Sequence, residues 1–277
     1  MTRRVYLHVG APKSGTTYLQ GVLDANRDRL GQAGVRVVGE RHLDRVHAAM
    51  VVREDPRLES LPEAASQAWA RLVADIRSWQ GEVAILSYEL FAGAGADQVE
   101  RALADLEGLE VHVVITARDL GRSVPSAWQE RLKFALTTPL ERWRPRPESD
   151  GARAEWGWRT MDPAGVAGRW GAGLPAERVH IVTVPRETTH EHELWQRFAA
   201  ACGIDVPGLE LSVARSNESL GVVAAELLRR VNERVGAPIT GSREQSLWLR
   251  DVLAHQILVE LGREPIGLTD EQYAEAV

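Results

Sequence analysis

Short apolar runs alternate along this chain with longer stretches whose apolar positions recur at helical spacing, the pattern of an α/β protein built on a parallel sheet. Five runs read as strands: Val5–Val9, Val35–Val38, Val83–Ser87, Val111–Thr116 and Val179–Val184. Each is brief and rich in Val, Leu or Ile, as expected of strands buried on both faces. Helical patterns lie around Thr17–Ala33, Leu61–Trp79, Ala96–Leu106, Ser123–Leu136 and Leu194–Ala201. From Leu220 onward there is no strand candidate, and Leu220–Val235, Arg243–Leu261 and a short Asp270–Ala276 read as helices capping the core. The expectation is one α/β domain over residues 1–277. Helices cover both faces of a central parallel sheet of about five strands, giving three layers and a helical C-terminal cap.

Thr137–Asp162 fits neither period. It holds Pro139, Pro145, Pro147 and Gly151, with Trp143, Trp156 and Trp158 set among five arginines. A connection this long is either functional, as a mobile lid or acceptor-binding segment, or an irregular structural insertion.

Composition narrows the function classes. With 44% hydrophobic and 26% charged residues, the 277-residue chain is globular rather than disordered or fibrous. A net charge of -6 argues against a dedicated nucleic-acid binder. The single cysteine, Cys202, excludes an internal disulfide and a cysteine zinc cluster, and its apolar surroundings suggest a buried, inert thiol. No run approaches the roughly 20 apolar residues of a spanning helix, and the N-terminal apolar segment is short for a signal peptide, so a cytoplasmic protein is expected. Of the 33 basic residues only Lys13 and Lys133 are lysines. A coding bias toward arginine leaves lysine mainly where its chemistry is needed, which draws attention to both.

Lys13 lies in the strongest local motif, Gly10-Ala11-Pro12-Lys13-Ser14-Gly15-Thr16-Thr17, between the first strand and the first long helix. Backbone N–H groups and the helix dipole make such a junction an anion site. The small residues admit a phosphate closely, and a lysine supplies a mobile point charge. Gly10 and Gly15 have the spacing of a nucleoside-triphosphatase loop, but Thr16 stands where that loop carries its lysine. The phosphate cradle is kept and the charge is moved. A β–α turn with no ligand is the plain alternative.

The run Pro12-Lys13-Ser14-Gly15-Thr16-Thr17-Tyr18-Leu19-Gln20 resembles the phosphosulfate loop of sulfotransferases that use 3'-phosphoadenosine 5'-phosphosulfate, particularly bacterial members. The resemblance implies a P-loop-type fold. It also implies that Lys13 meets the 5'-phosphate and the bridging oxygen, while Ser14, Gly15, Thr16 and Thr17 hold the phosphosulfate. A second mark of that family is a strand-end arginine followed eight residues later by a helical serine, both on the 3'-phosphate. Arg118, after Val113-Val114-Ile115-Thr116-Ala117, and Ser126 fit it, with Arg122 and Ser123 as competing donors. Arg215-Ser216-Asn217 resembles the family's post-core loop, so Arg215 and Asn217 are candidates for nucleotide contact, Asn217 equally for a helix cap. The cytosolic branch's Arg-Lys-Gly motif is absent.

Sulfuryl transfer needs a base for the acceptor hydroxyl and a cation for the leaving phosphate. Lys13 is the cation. Glu89, in Ser87-Tyr88-Glu89 at the carboxyl end of the third strand, is the candidate base, because ligands of open parallel sheets collect there. Its rival role is a carboxylate at a helix N-terminus. Histidine is the rival base: His42 and His47 follow the second strand, whereas His8, inside the first, reads as a core residue. His190 and His192 read as a solvated helix start without a third zinc ligand, and the motif implies no metal. Lys133 reads as a solvated helix lysine or an acceptor contact. The expected reaction takes a hydroxyl of a small molecule, lipid or glycan as acceptor and releases 3'-phosphoadenosine 5'-phosphate. The alternatives are a P-loop kinase or nucleotidase and a non-catalytic nucleotide-binding protein.

Overall fold

The computed structural model describes residues 4–143, 157–187, 190–213, 220–235 and 244–261, with 239, 266, 269 and 271. It contains one five-stranded sheet, all parallel, in the order β2-β3-β1-β4-β5. The strands are β1 Arg4–Gly10, β2 Val35–Val37, β3 Val83–Ser87, β4 Glu110–Ala117 and β5 Val179–Thr183. Each matches an apolar run of the sequence to within two residues. The helices are α1 Thr16–Ala25, α2 Arg27–Gln32, α3 His42–Val52, α4 Glu63–Ser66, α5 Ala68–Ser78, α6 Ala96–Ala104, α7 Leu120–Leu132, α8 Trp158–Met161, α9 Pro163–Trp170, α10 Glu193–Ala201 and α11 Val222–Val235. The chain divides into two compact units, Met1–Arg118 with Asp150–Arg215 and Asp119–Ser149 with Ser216–Val277.

The first unit holds the sheet and is three layers deep. Val5, Leu7 and Val9 of β1 join one apolar cluster with Leu86, Val113, Ile115 and Trp170. Tyr6 points into another with Leu19, Leu23, Ile85, Val114 and Phe198. Side chains of successive strand residues go to opposite faces, and in β1, β3 and β4 nearly all of them are buried, whereas the edge strand β5 leaves Ile181 exposed.

The expected helix Thr17–Ala33 is broken at Asn26. Its side chain donates to Val22 O at 2.7 Å and Glu210 O at 2.8 Å and accepts from Glu210 N–H at 2.7 Å, so its amide caps the end of α1 and ties it to a distant segment. α3 and α9 lie where the sequence reading set no helix. α3 opens with the Asp44 carboxylate accepting from Arg41 N–H. α9 is held by Trp170, whose Nε1 donates to Phe91 O at 3.0 Å. Of segment 137–162, residues 144–156 lie outside the described residues, and α8 occupies its end.

α1 is anchored by charge. Arg45 of α3, 1% exposed, makes two bonds to Asp24, at 2.9 and 2.6 Å, and Arg27 makes two more, at 3.1 and 2.6 Å. Burial pushes the Asp24 carboxyl up, but these four bonds outweigh it and hold the group below the usual carboxylate range.

The second unit is helical. Asn232 of α11 donates to Leu132 O at 2.8 Å and Leu136 O at 2.9 Å, Arg229 donates to Thr137 O at 2.9 Å, and Gln129 of α7 accepts from Leu220 N–H at 3.1 Å. The expected helix from Arg243 is a wide π-helix over Gln245–Ile257 and a short 3-10 turn over Leu258–Glu260. The Asp270–Ala276 helix lies outside the described residues apart from Glu271. No helix among the described residues is long and apolar enough to cross a membrane.

Asp24→Ala removes the partner of a buried guanidinium. Urea unfolding of this variant should show a loss of about 2 kcal/mol, below the roughly 3–5 kcal/mol of a fully enclosed pair because Asp24 is partly exposed. An unchanged midpoint would remove the pair from the account of how α1 is held.

Candidate functional site

The loop between β1 and α1 has a backbone that few sequences tolerate. Gly10, Lys13 and Gly15 all have positive φ, 131°, 63° and 83°. At Gly10 a Cβ would stand 2.7 Å from Glu89 O, so only glycine fits. Lys13 is the exception, a side chain held in the left-handed region at about 1–2 kcal/mol of strain, of the kind that collects at functional sites. Gly15 is the N-cap of α1, and no side chain caps the helix. The helix thus opens on the positive end of its dipole, with no side-chain cap from Gly15 and no acidic residue in the first turn.

Under the loop lies a buried hydrogen-bonded floor. Thr116, at the end of β4, donates its hydroxyl to Gly10 O at 3.0 Å, and its N–H and C=O belong to the strand end, where Thr116 O accepts from Ala11 N–H at 2.8 Å. Ser14 donates to Ala11 O and lies 2.5 Å from Thr116 Oγ1. Its hydroxyl therefore turns into the protein. His8 spans the neighbouring strands, with Nδ1 2.7 Å from Ser87 Oγ and Nε2 3.2 Å from Thr116 Oγ1. Complete burial pushes its imidazole down to about 3, so the ring is neutral. Because Thr116 donates to Gly10, Nε2–H must donate to Thr116, and Nδ1 accepts from Ser87. His8 is the core histidine that the sequence suggested, and its two bonds connect β3 to β4 beneath the loop.

Glu89 begins a 3-10 turn, Glu89–Gly93, directly after β3 and Tyr88. It is half-buried, and its Oε2 accepts from Gln20 Nε2 of α1 at 2.8 Å. The turn is fixed from α9 as well, where Arg169 donates to Ala94 O at 3.0 Å and Ala92 O at 2.8 Å. Burial, then the charge of Glu89, pushes the Tyr88 phenol up, so it stays protonated. His42 is exposed at the start of α3 and meets the Tyr88 ring edge-on, centroids 5.5 Å apart, while His47 is half-buried on α3. Arg118, after β4, donates through Nη1 to Lys13 O at 3.1 Å. The first unit thereby brings Lys13, Ser14, Gly15, Thr16, Thr17, Glu89 and Arg118 to one end of the sheet, the carboxyl ends of β1, β3 and β4.

On the far side of the loop, a Cβ at Gly15 would meet Leu194 Cδ2 at 2.4 Å, and His192 Nδ1 lies 2.9 Å from Tyr18 Oη. His192 is thus a partner of α1 rather than part of a solvated helix start.

In the second unit, Ser126 is half-buried and Ser123 buried on α7, while Arg122 is paired with Asp119. Lys133 is not solvated. It is 6% exposed, with its Nζ 3.0 Å from Glu130 Oε2. A long stem lets lysine bury its carbons once a carboxylate meets the charge, which spacing alone does not reveal. Arg215 and Asn217 lie outside the described residues. Cys202 is buried, and burial pushes its thiol up. Among the described residues no group of three or more His, Cys, Asp or Glu side chains is placed to hold a metal.

The sequence reading missed Gln20, Thr116 and Ser87. Each left a signal: a polar residue one helical turn beyond Thr16 on the apolar face of α1, and two hydroxyls near the carboxyl ends of strands after apolar runs.

No family model and no curated protein matches the chain. Among solved structures, it is similar to a sulfotransferase from Alicyclobacillus acidocaldarius, with 16% identity and a TM-score of 0.46 over 86% of this chain and 96% of that one. It is also similar to a sulfotransferase domain from the curacin biosynthetic pathway, with 15% identity and a TM-score of 0.41 over 82% of this chain and 83% of that one.

The neutral state of His8 has a pH signature. Between its ordinary value of 6.5 and about 3 the unfolded chain binds a proton that the folded chain refuses. The stability that His8 contributes is complete above pH 6.5 and is lost as pH falls toward 3, by about 1.4 kcal/mol per pH unit. Urea unfolding across that window should give a shallower pH slope for His8→Gln than for the parent. Equal slopes would mean that His8 titrates normally in the folded protein.

Proposed function

We propose that this protein is a sulfotransferase that moves a sulfuryl group from 3'-phosphoadenosine 5'-phosphosulfate to an acceptor hydroxyl. The observation that carries the reading is the joining of a cationic phosphate loop to a carboxylate. Glu89 meets the helix that follows the loop, through Gln20 at 2.8 Å, and Lys13 stands within that loop. A carboxylate beside a phosphate cradle has little to offer simple anion binding, because it repels the anion. It is what a reaction needs when a hydroxyl must lose a proton next to a bound anionic donor.

The residues divide the task. The N–H groups at the start of α1, with Thr16 and Thr17, bind the phosphosulfate oxygens through fixed dipoles. Arg118 provides a guanidinium for a second phosphate, the 3'-phosphate that distinguishes this donor from ATP. Glu89 takes the proton of the acceptor hydroxyl as the new oxygen–sulfur bond forms. The bond from sulfur to the bridging oxygen breaks, and Lys13 meets the charge that develops on that oxygen. The Ser14 hydroxyl is engaged with Ala11 and Thr116, so its part is to hold the loop in shape while its backbone faces the ligand. The acceptor is a small molecule, lipid or glycan bearing a hydroxyl.

Lys13→Gly separates function from folding. Glycine accepts the left-handed backbone without the strain that lysine carries, and its extra freedom in the unfolded chain works the other way, so stability should stay within about 1 kcal/mol of the parent. Calorimetric titration should show affinity for 3'-phosphoadenosine 5'-phosphate falling by roughly ten- to a hundredfold, the loss of one charge-assisted bond. Unchanged affinity would remove Lys13 from the site, and tighter binding of ATP with Mg²⁺ by the parent would favour the P-loop kinase reading.

A further inference from the structure

We propose that Gln20 is the positioning residue of the base: its amide holds the Glu89 carboxylate in the orientation that receives the acceptor's proton. The proposal rests on the reading of Glu89 as base. Gln20 is 5% exposed and lies one turn beyond Thr16 on the face of α1 that also buries Leu19 and Leu23. A buried amide without a partner is costly, and an apolar side chain at this position would carry no such cost. The partner of this amide is Glu89, with Nε2 2.8 Å from Oε2. An ionised carboxylate only accepts, so the nitrogen faces it and donates.

The other constraints on Glu89 act on its backbone. Tyr88 N–H donates to His8 O at 3.0 Å, Gly10 packs against Glu89 O so closely that no Cβ would fit, and Trp170 and Arg169 hold the following turn. These fix where the side chain starts. The Gln20 bond fixes where it ends, occupying Oε2 and leaving Oε1 for the acceptor. Because Gln20 and the N-terminal amides of α1 belong to one helix, donor and base are set from one rigid element. Among the described residues Gln20 of α1 bonds the Glu89 carboxylate, and the adjacent Tyr88 phenol, which feels its charge, stays neutral.

The test uses the full chain with Gln20→Met, which keeps length and shape but removes the donor, and Gln20→Glu, which sets a second carboxyl against the first. Glu89→Gln is the control. For Gln20→Met, kcat should fall about tenfold from misorientation, with the donor KM and the affinity for 3'-phosphoadenosine 5'-phosphate within about twofold of the parent. For Gln20→Glu, two carboxyls in contact share a proton, so the acidic limb of kcat/KM should move up by more than about one pH unit and activity should return as pH rises. Parent values of kcat and pH profile in both variants, with Glu89→Gln inactive, would overturn the role of Gln20 alone. A loss that appears in nucleotide affinity instead would also overturn it, marking Gln20 as support for the loop. Full transfer by Glu89→Gln would remove the base itself, and the proposal with it.

Discussion

A neutral histidine in the middle of a parallel sheet holds the candidate site together. The carboxyl end of such a sheet is where ligands bind, and there the strands diverge and their last backbone groups lose ladder partners. His8 spans the gap, joining Ser87 of β3 to Thr116 of β4, and Thr116 in turn supports Gly10 and Ser14 of the loop. In its uncharged state the ring donates through one nitrogen and accepts through the other. Burial ensures that state. The loop above can then keep its strained Lys13, because a fully bonded floor over-determines its path.

Around this floor each element supplies one constraint. α1 brings the positive end of its dipole to the loop and its Gln20 to Glu89. The Asp24 cluster ties α1 to α3 and, through Arg27, to Val37 O at the end of β2 and Gly39 O just past it. α9 grips the turn that carries Glu89 through Trp170 and Arg169. Lys13, the loop and Glu89 are thus held by different parts of one unit, with little freedom left to any of them.

Much of the fold was legible because strands buried on both faces leave unbroken Val, Leu and Ile runs, and all five emerged from the sequence. What stayed hidden depends on tertiary partners. Asn26 breaks a helix by pairing with Glu210, far along the chain, and α9 gains much of its anchorage from one tryptophan reaching Phe91. Lys133 reads as solvated until Glu130 is seen to meet it. At the site, the loop, Arg118 and Glu89 were readable as motif and strand-end chemistry. Gln20 and Thr116 were not, since a lone polar residue on an apolar face declares no partner. Of the two lysines that composition singled out, one stands in the loop and the other is a buried helix lysine, so scarcity by itself marked no site.

The central claim is that this loop serves a phosphosulfate donor rather than a nucleoside triphosphate. The most direct measurement is chromatography of the nucleotide products after incubating the protein with candidate acceptors and either 3'-phosphoadenosine 5'-phosphosulfate or ATP with Mg²⁺. The account predicts acceptor-dependent release of 3'-phosphoadenosine 5'-phosphate from the first and no ADP from the second. Acceptor-dependent ADP, with the phosphosulfate left intact, would contradict it.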